Sequence, residues 1–417
     1  PANMEGQKAP KKKPFLKSAQ DKRDFDEAEL LFISKNFVQA MKTYQKMEVN
    51  NPDEPILIYR IGVCYFFQEG GFIKSLEYLN RLDQKKMRKT DILYYLGRNM
   101  HMAYRFSEAI EFFNKYKESK WAEAKLKAEA DQFIRYCQNG TELLKNPTKS
   151  IVKNMGTTVN TAFSEYVPVI TVDEGVLYFT YRGEKSTGGK QVVPDVPDAN
   201  GEYFEDIFVS KKENDVWTAP TPLPSSVNTN GHDACISLSN DGLKLFMFMN
   251  PPHDPGQIAF TFLDSAGWTT PKLLDGDIQS GSWEGSVSLT YDEKAIYFSS
   301  ERGGGEGKKD LYLAFRGPSG AWNNPKNLGK TVNTEADEDA PFLHPNGLFL
   351  IFASNGRNSI GGYDLFYTEL QGDSSWAEPV NLGAPINTPG DDIFFNLSIS
   401  GKKGYYSSDR QGGYGMQ

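Results

Sequence analysis

Four tryptophans constrain this chain more than any other feature. Trp217, Trp268, Trp322 and Trp376 stand 51, 54 and 54 residues apart, and each opens a W-x-x-P unit: WTAP, WTTP, WNNP and WAEP. The dipeptides Asp206-Ile207, Gln257-Ile258, Asp310-Leu311 and Asp364-Leu365 recur at 51, 53 and 54 residues. Asn228, Gln279, Asn333 and Asn387 recur at 51, 54 and 54, each after Val or Ile and before Thr or Ser. Three markers on one period define a structural repeat. Such a unit cannot bury its apolar face alone and must stack on copies of itself.

Inside each unit, short β-branched and aromatic runs alternate with Gly, Asn and Asp turns, which is strand patterning. The first strand is VPVIT (168–172), ACISL, GSVSL, APFLH or IFFNL, and the second is VLYFTYR, LKLFMFM, AIYFSSER, LFLIFAS or GYYSSDR. The third is DIFVS, QIAFT, DLYLA or DLFYT, and the fourth runs from W-x-x-P into the N-T turn. Four strands in such a unit make a β-propeller blade, and a ring of five to seven blades is expected. The segment KNMGTTVNTAFSEY (153–166) matches KNLGKTVNTEADED (326–339). It is expected to lend its strand to the last blade and so close the ring, removing a free edge. The final YYSSDRQGGYGMQ stops short of the third strand, and the chain is expected to be part of a longer polypeptide.

The N-terminal third has a different grammar. From Asp24 to Leu144, apolar residues recur at helical spacing, with internal prolines only at Pro52 and Pro55. Ala28, Gly62 and Gly97 are spaced by 34 and 35 residues, with Ala40, Ser75 and Ala109 following them by 12, 13 and 12. Residues 121–138 read as one further amphipathic helix, stopped at Asn139-Gly140. The expected architecture is therefore multidomain, α plus all-β: an arm at 1–23, expected to be disordered, an α-solenoid at 24–145 and a propeller at 146–417.

The helical units resemble the tetratricopeptide repeat, most clearly at YRIGVCYFF (59–67) and YYLGRNMHMAYRFSEAIEFF (94–113). Three repeats plus a capping helix fit. The register of that resemblance places Phe25, Phe32, Ile33, Tyr59, Val63, Phe66, Phe67, Tyr94, Arg98, His101 and Met102 on the concave face. An exposed aromatic face of this kind marks a protein-binding site, unless another part of the chain covers it. The β units resemble the WD-like, TolB-type propeller repeat, with S-x-R-x-G-x-x-D-[IL]-[YF] at Ser300 to Tyr312 and Ser354 to Phe366. The Arg182/Asp206, Arg302/Asp310 and Arg357/Asp364 positions recur by blade, so they read as structural ion pairs or turn anchors. The insert at 183–205 is longer than its counterparts and is either a binding loop or an ornament.

Little points to chemistry. His101, His232, His253 and His344 form no HExxH or HxH, and Cys64, Cys137 and Cys235 form no CxxC. No GxSxG elbow or Walker loop is present. Arg302 to Lys308 is Gly-rich but opens no helix, and reads as a blade turn. Glu335, Asp337, Glu338 and Asp339, and the pair Asp391-Asp392, could gather for Ca²⁺, but solvated acidic turns are the simpler reading. No catalytic residue, cofactor or metal is expected, and the chain is expected not to be an enzyme. Residues 1–145 carry a net charge of +6 and residues 146–417 a net of −14, which argues against nucleic acid on the propeller. No apolar run reaches the ~18 residues of a membrane span.

Helical repeats followed by such a propeller resemble a family of Bacteroidota envelope proteins that also carry an OmpA-type peptidoglycan-binding domain. The strings VNTEADEDAPFLHPNGLFLIFAS and GGYDLFYTEL carry this most strongly. The PorE-type components of the type IX secretion system are members. The resemblance implies a periplasmic scaffold or adaptor associated with the outer membrane. Its partners would be other envelope or secretion proteins, with peptidoglycan reached only through a domain outside this chain. The alternatives are a carbohydrate- or peptidoglycan-binding module and a regulatory propeller of an enzyme whose catalytic domain lies elsewhere.

Overall fold

The computed structural model describes residues 15–413, apart from 69, 85, 88, 89, 191–202 and 251–255. Most of the 183–205 insert therefore lies outside the described residues, as do residues 1–14 of the expected arm. The rest of that arm is ordered. Helix α1 (Ala19–Ile33) starts on a capping box in which Ser18 and Asp21 satisfy each other's backbone N–H groups. Phe15 and Leu16 pack on the first helical core.

Helices α1 and α2 (Phe37–Asn50), α3 (Pro55–Phe66) and α4 (Phe72–Asn80), and α5 (Ile92–Met102) and α6 (Phe106–Glu118) form three consecutive antiparallel pairs. The small residues sit where the partners cross. Ala28, Ala40, Ser75 and Ala109 are fully buried. A Cβ on Gly62 would stand 2.8 Å from Leu79, and one on Gly97 would stand 2.7 Å from Phe113. Helix α7 (Ala124–Leu143) follows. It does not stop at Asn139-Gly140 as the sequence suggested. Gly140 is a packing position in the last turn of the helix, where a Cβ would meet Phe106 at 2.6 Å and Ile360 at 3.0 Å.

The remaining chain folds into five antiparallel sheets among the described residues. The first holds Ser164–Ile170, Val176–Arg182 and Asp206–Glu213, with short additions at Val216–Trp217 and Thr221–Pro222. The second holds His232–Leu238, Lys244–Asn250 and Gln257–Asp264, with short Gly267–Trp268 and Lys272–Leu273. The third holds Glu284–Leu289, Ala295–Ser300, Asp310–Arg316 and Trp322–Asn327. The fourth holds Glu338–Leu343, Phe349–Ser354, Asp364–Glu369 and Val380–Asn381, and the fifth holds Asp392–Leu397 and Gly404–Ser408. The first strands of successive sheets neighbour one another in chain order, and that of the fifth returns to that of the first. The result is a propeller-like ring, with its apolar cores between adjacent sheets.

Closure differs from the expectation. Residues 153–163 form no strand, and the first strand begins only at Ser164. The first sheet meets the fifth through side chains instead. Ser407 Oγ accepts from Val167 N at 3.0 Å, Asn396 Nδ2 donates to Pro168 O at 2.9 Å, and Lys403 pairs with Glu174 at 2.8 Å. A cleft of about 850 Å³ lies between residues 150–155 and the fifth sheet.

Of the acidic residues read as solvated turns, Glu338, Asp339 and Asp392 are buried, Asp337 and Asp391 are half-buried and Glu335 is exposed. Glu338 and Asp392 are 0% exposed and Glu284 is 1%. Each opens a strand and accepts hydrogen bonds from its own turn. Thr334 donates to Glu338 through N at 2.7 Å and Oγ1 at 2.7 Å, and Ser354 Oγ donates to it at 2.8 Å. Thr161/Glu165, Thr229/Asp233 and Thr388/Asp392 repeat the device, as does Ser280 with Glu284. The recurring arginines and aspartates are separate turn anchors rather than mutual pairs. Arg302 donates to Ile278 O at 2.6 Å, whereas Asp310 accepts from Gly307 N at 3.1 Å. Asn333 and Asn387 clamp both backbone groups of Leu311 and Leu365, which explains their strict period.

Candidate partner-binding groove

The helices carry a continuous path of aromatic contacts. It runs from Phe32 to Phe37 (5.4 Å between ring centres) and from Phe37 to Phe67, stacked at 4.3 Å. Phe67 meets Phe66 at 5.3 Å and Tyr95 at 6.1 Å, and Tyr95 meets Tyr94 at 5.4 Å. Phe133 of α7 then contacts Tyr94, His101 and Tyr136. The path lies on first helices of the pairs, with Phe37 from α2 and Phe133 and Tyr136 from α7.

Not every residue expected on this face is open. Tyr59, Val63, Tyr94 and His101 are 3%, 0%, 2% and 1% exposed, so their side chains belong to the cores. Phe25, Phe32, Phe66, Arg98 and Met102 are half-buried. Phe67 is 49% and Ile33 74% exposed. Phe25 packs toward Phe15 and Tyr44 rather than into the aromatic path. Phe37, Tyr95, Phe133 and Tyr136 were missed because they lie outside the first-helix register positions.

Two arginines sit over this surface, and their electrostatics differ. Arg60 lies 4.3 Å over Phe32 but donates from Nε and Nη2 to the two oxygens of Glu29, at 2.7 and 2.6 Å, so its charge is met. Arg98 lies between Phe66 (4.9 Å) and Phe133 (3.8 Å). It donates to Tyr94 Oη at 3.1 Å, while its Nε has no hydrogen-bond partner among the described residues. Cation–π contact stabilises the guanidinium but does not neutralise it.

The groove has two unlike halves. Around Phe37, Phe66, Phe67 and Tyr95 it is open. Around α5 and α7 it is occupied by the loop at 355–362, which joins the second and third strands of the fourth sheet. Ile360 is 0% exposed and belongs to the helical core with Tyr94, Phe106, Phe113 and Cys137. His101 Nε2 lies 2.7 Å from Ile360 O, Tyr136 Oη donates to Asn355 O at 2.7 Å, and Asn139 Nδ2 donates to Ser359 O at 2.9 Å. A carbonyl only accepts, so His101 carries its proton on Nε2. Burial holds its pKa down to about 4, and it is neutral.

No group of His, Cys, Asp and Glu among the described residues is arranged to hold a metal, and the three cysteines are free and buried. No described helix is long and apolar enough to cross a membrane.

No family model matches the chain, and no curated protein matches it. Solved structures do. A putative TolB from Agrobacterium tumefaciens is similar at 18% identity and a TM-score of 0.36, over 60% of this chain and 72% of that one. TolB from Acinetobacter baumannii is similar at 17% and 0.35, over 60% and 53%. A glycosyl hydrolase from Bacteroides ovatus is similar at 12% and 0.39, over 62% and 83%. Others include a gluconolactonase, an arabinofuranosidase and peptidases. The expectation that the chain is not an enzyme is therefore corrected: enzymes stand beside TolB among the similar structures, and a ring of this kind does not exclude catalysis.

Proposed function

We propose that this chain is a protein-binding scaffold of the bacterial periplasm, associated with the outer membrane, in which helical repeats of the tetratricopeptide kind and a five-bladed propeller act together. One observation carries the reading. The open half of the groove presents Phe67, Phe66, Phe37 and Tyr95 as one aromatic surface, with the Arg98 guanidinium, whose Nε has no hydrogen-bond partner among the described residues, beside it. Aromatic rings supply contact area at low entropic cost, and a desolvated arginine favours a carboxylate. The partner is therefore an extended segment of another envelope protein, with apolar side chains for the rings and a carboxylate for Arg98. A component of a secretion machine is one such partner.

The test is affinity purification of the protein from its native envelope in mild detergent, with mass spectrometry of what co-elutes. The parent chain should retain stoichiometric envelope partners. A Phe66→Ser/Phe67→Ser double variant should lose them while keeping its fold. Full retention by the folded double variant removes the groove as the site.

A further inference from the structure

We infer that the loop at 355–362 is a peptide-like ligand bound in cis: a latch that closes the α5–α7 half of the groove and can open without unfolding either the helices or the ring. When it opens, that half can take an extended segment of the same chemistry, an aliphatic residue followed by glycine with backbone carbonyls free on either side. The inference concerns the closed half of the groove and does not depend on what binds the open half.

The loop has the features of a ligand. It enters side-on, places one aliphatic side chain in an apolar hole, and gives the carbonyls of Asn355, Ser359 and Ile360 to three side chains of the helices. The hole exists because residue 140 is glycine, whose missing Cβ would stand 3.0 Å from Ile360. Charged groups play no part in these three bonds, since His101 is neutral.

The loop's shape is held from the ring, so releasing it does not melt it. Arg357, at φ 48°, donates to Val332 O at 3.1 Å. Ser359 Oγ donates to Gly356 O at 2.7 Å, and Ile360 N donates to Asp364 Oδ2 at 3.0 Å. A Cβ on Gly361 would stand 2.1 Å from Pro389 O, and one on Gly362 would stand 1.9 Å from Asp391 Oδ1, so the loop is seated on its neighbouring turn. The finger is preorganised, which lowers the cost of binding. The covalent link that would have to move is short: after Leu143 the chain has neither helix nor strand, and it joins the ring at Thr148, whose N donates to Ala384 O at 2.7 Å. Tethering keeps the loop at high effective concentration, so the closed state dominates without a large contact area.

Three buried cysteines report on this separately. Cys137 is in the helical core beside Ile360, Cys64 is in the first helical core, and Cys235 is between the first two sheets. Burial pushes the Cys64 and Cys137 thiols up to about 12, so each reacts only when it is exposed. In the full chain, Ile360→Asp places a charge in the hole and favours release. Modification of Cys137 by a thiol reagent should accelerate about tenfold or more, with Cys64 and Cys235 unchanged, as local opening requires. Ile360→Val should stay within about twofold of the parent. No acceleration at Cys137 overturns the latch, and so does equal acceleration at all three thiols, which means one cooperative core. Should Ile360→Asp fail to fold, hydrogen exchange of the parent chain decides. A latch makes the amides of 359–362 and of Phe133–Gly140 exchange together, ahead of α1–α4 and the sheets. Exchange of these amides only with the whole molecule refutes it.

Discussion

The helices and the ring are both built from repeats, yet they hold their neighbours by opposite means. The helical pairs meet through small residues and aromatic rings, and only a few buried polar groups, such as Asn99 on Ser75, join them. The ring places a carboxylate at the start of each first strand and buries most of them, surrounded by hydroxyl and backbone donors. Apolar contact is tolerant of sliding, and a directional network of hydrogen bonds is not. The difference suits the two parts: a groove that admits a ligand, and a scaffold that must present its loops in fixed positions.

The sharpest way to break this contrast is to remove one carboxylate. Glu338→Ala leaves Thr334 N, Thr334 Oγ1 and Ser354 Oγ without their acceptor inside the fold. At roughly 1–3 kcal/mol per stranded donor, partly relieved by water, the expected loss is about 3–5 kcal/mol. Glu338→Gln keeps a carbonyl oxygen and should lose less. Denaturant unfolding with Cys235 labelling as the ring probe measures it. A loss below about 1 kcal/mol for Glu338→Ala means that the network does not hold the ring.

Acidification should separate the two parts by sign. Burial raises Asp233 and Asp392 to about 6, so the folded ring binds protons that the unfolded chain has already released. Their contribution is full below the ordinary carboxylate pKa and is lost as pH rises from about 4 to about 6. His101 goes the other way. Its pKa is depressed to about 4, so its contribution is present above the ordinary histidine value and is lost as pH falls from about 6.5 to 4. Between pH 7 and 5 the ring should gain and the α5–α7 region should lose, each by roughly 1–3 kcal/mol. Opening free energies from hydrogen exchange give both in one sample. A common sign for the two regions refutes the assignment.

Much of this was legible in the sequence, and the failures share a cause. The tryptophan period and the small-residue spacing report contacts between neighbouring repeats, which local pattern encodes. Gly140 was misread because a glycine that ends a helix and one that admits a loop are the same letter. The role of Ile360 was hidden because the period tells which sheet a loop belongs to, not which loops face the helices. Glu338 and Asp392 looked solvated because their partners, Thr and Ser at fixed offsets, are common turn residues. Of the residues expected on one open face, Phe67 is exposed and Phe66 half-buried, while Tyr59, Val63, Tyr94 and His101 are buried in the cores.

A smaller effect tests the crossing of the helices. Gly97→Ala puts a methyl group 2.7 Å from the fully buried ring of Phe113. Overpacking costs about 1–3 kcal/mol, and the better helix propensity of alanine returns up to about 1. A net loss of about 1–2 kcal/mol in α5–α6 is expected, with Cys235 protection unchanged. A stabilised variant means that the helices slide apart at low cost and that this glycine is not required for the approach.

An effect of similar size bears most directly on binding. Phe67 is 49% exposed and stacks on Phe37, itself only half-buried, so its removal opens no cavity. Phe67→Ser gives up the stack on Phe37 and the edge contacts with Phe66 and Tyr95, about 1–2 kcal/mol in all because the ring is half in water already. The unfolding midpoint should move by only a few degrees. Phe113, 0% exposed in the same array, sets the opposite limit: Phe113→Ala should cost about 3–5 kcal/mol. If Phe67→Ser falls near the Phe113→Ala value, Phe67 is core, and no free aromatic surface remains for a partner. If it stays near the parent, stability does not explain an exposed phenylalanine at that position, and the open half of the groove is available for recognition.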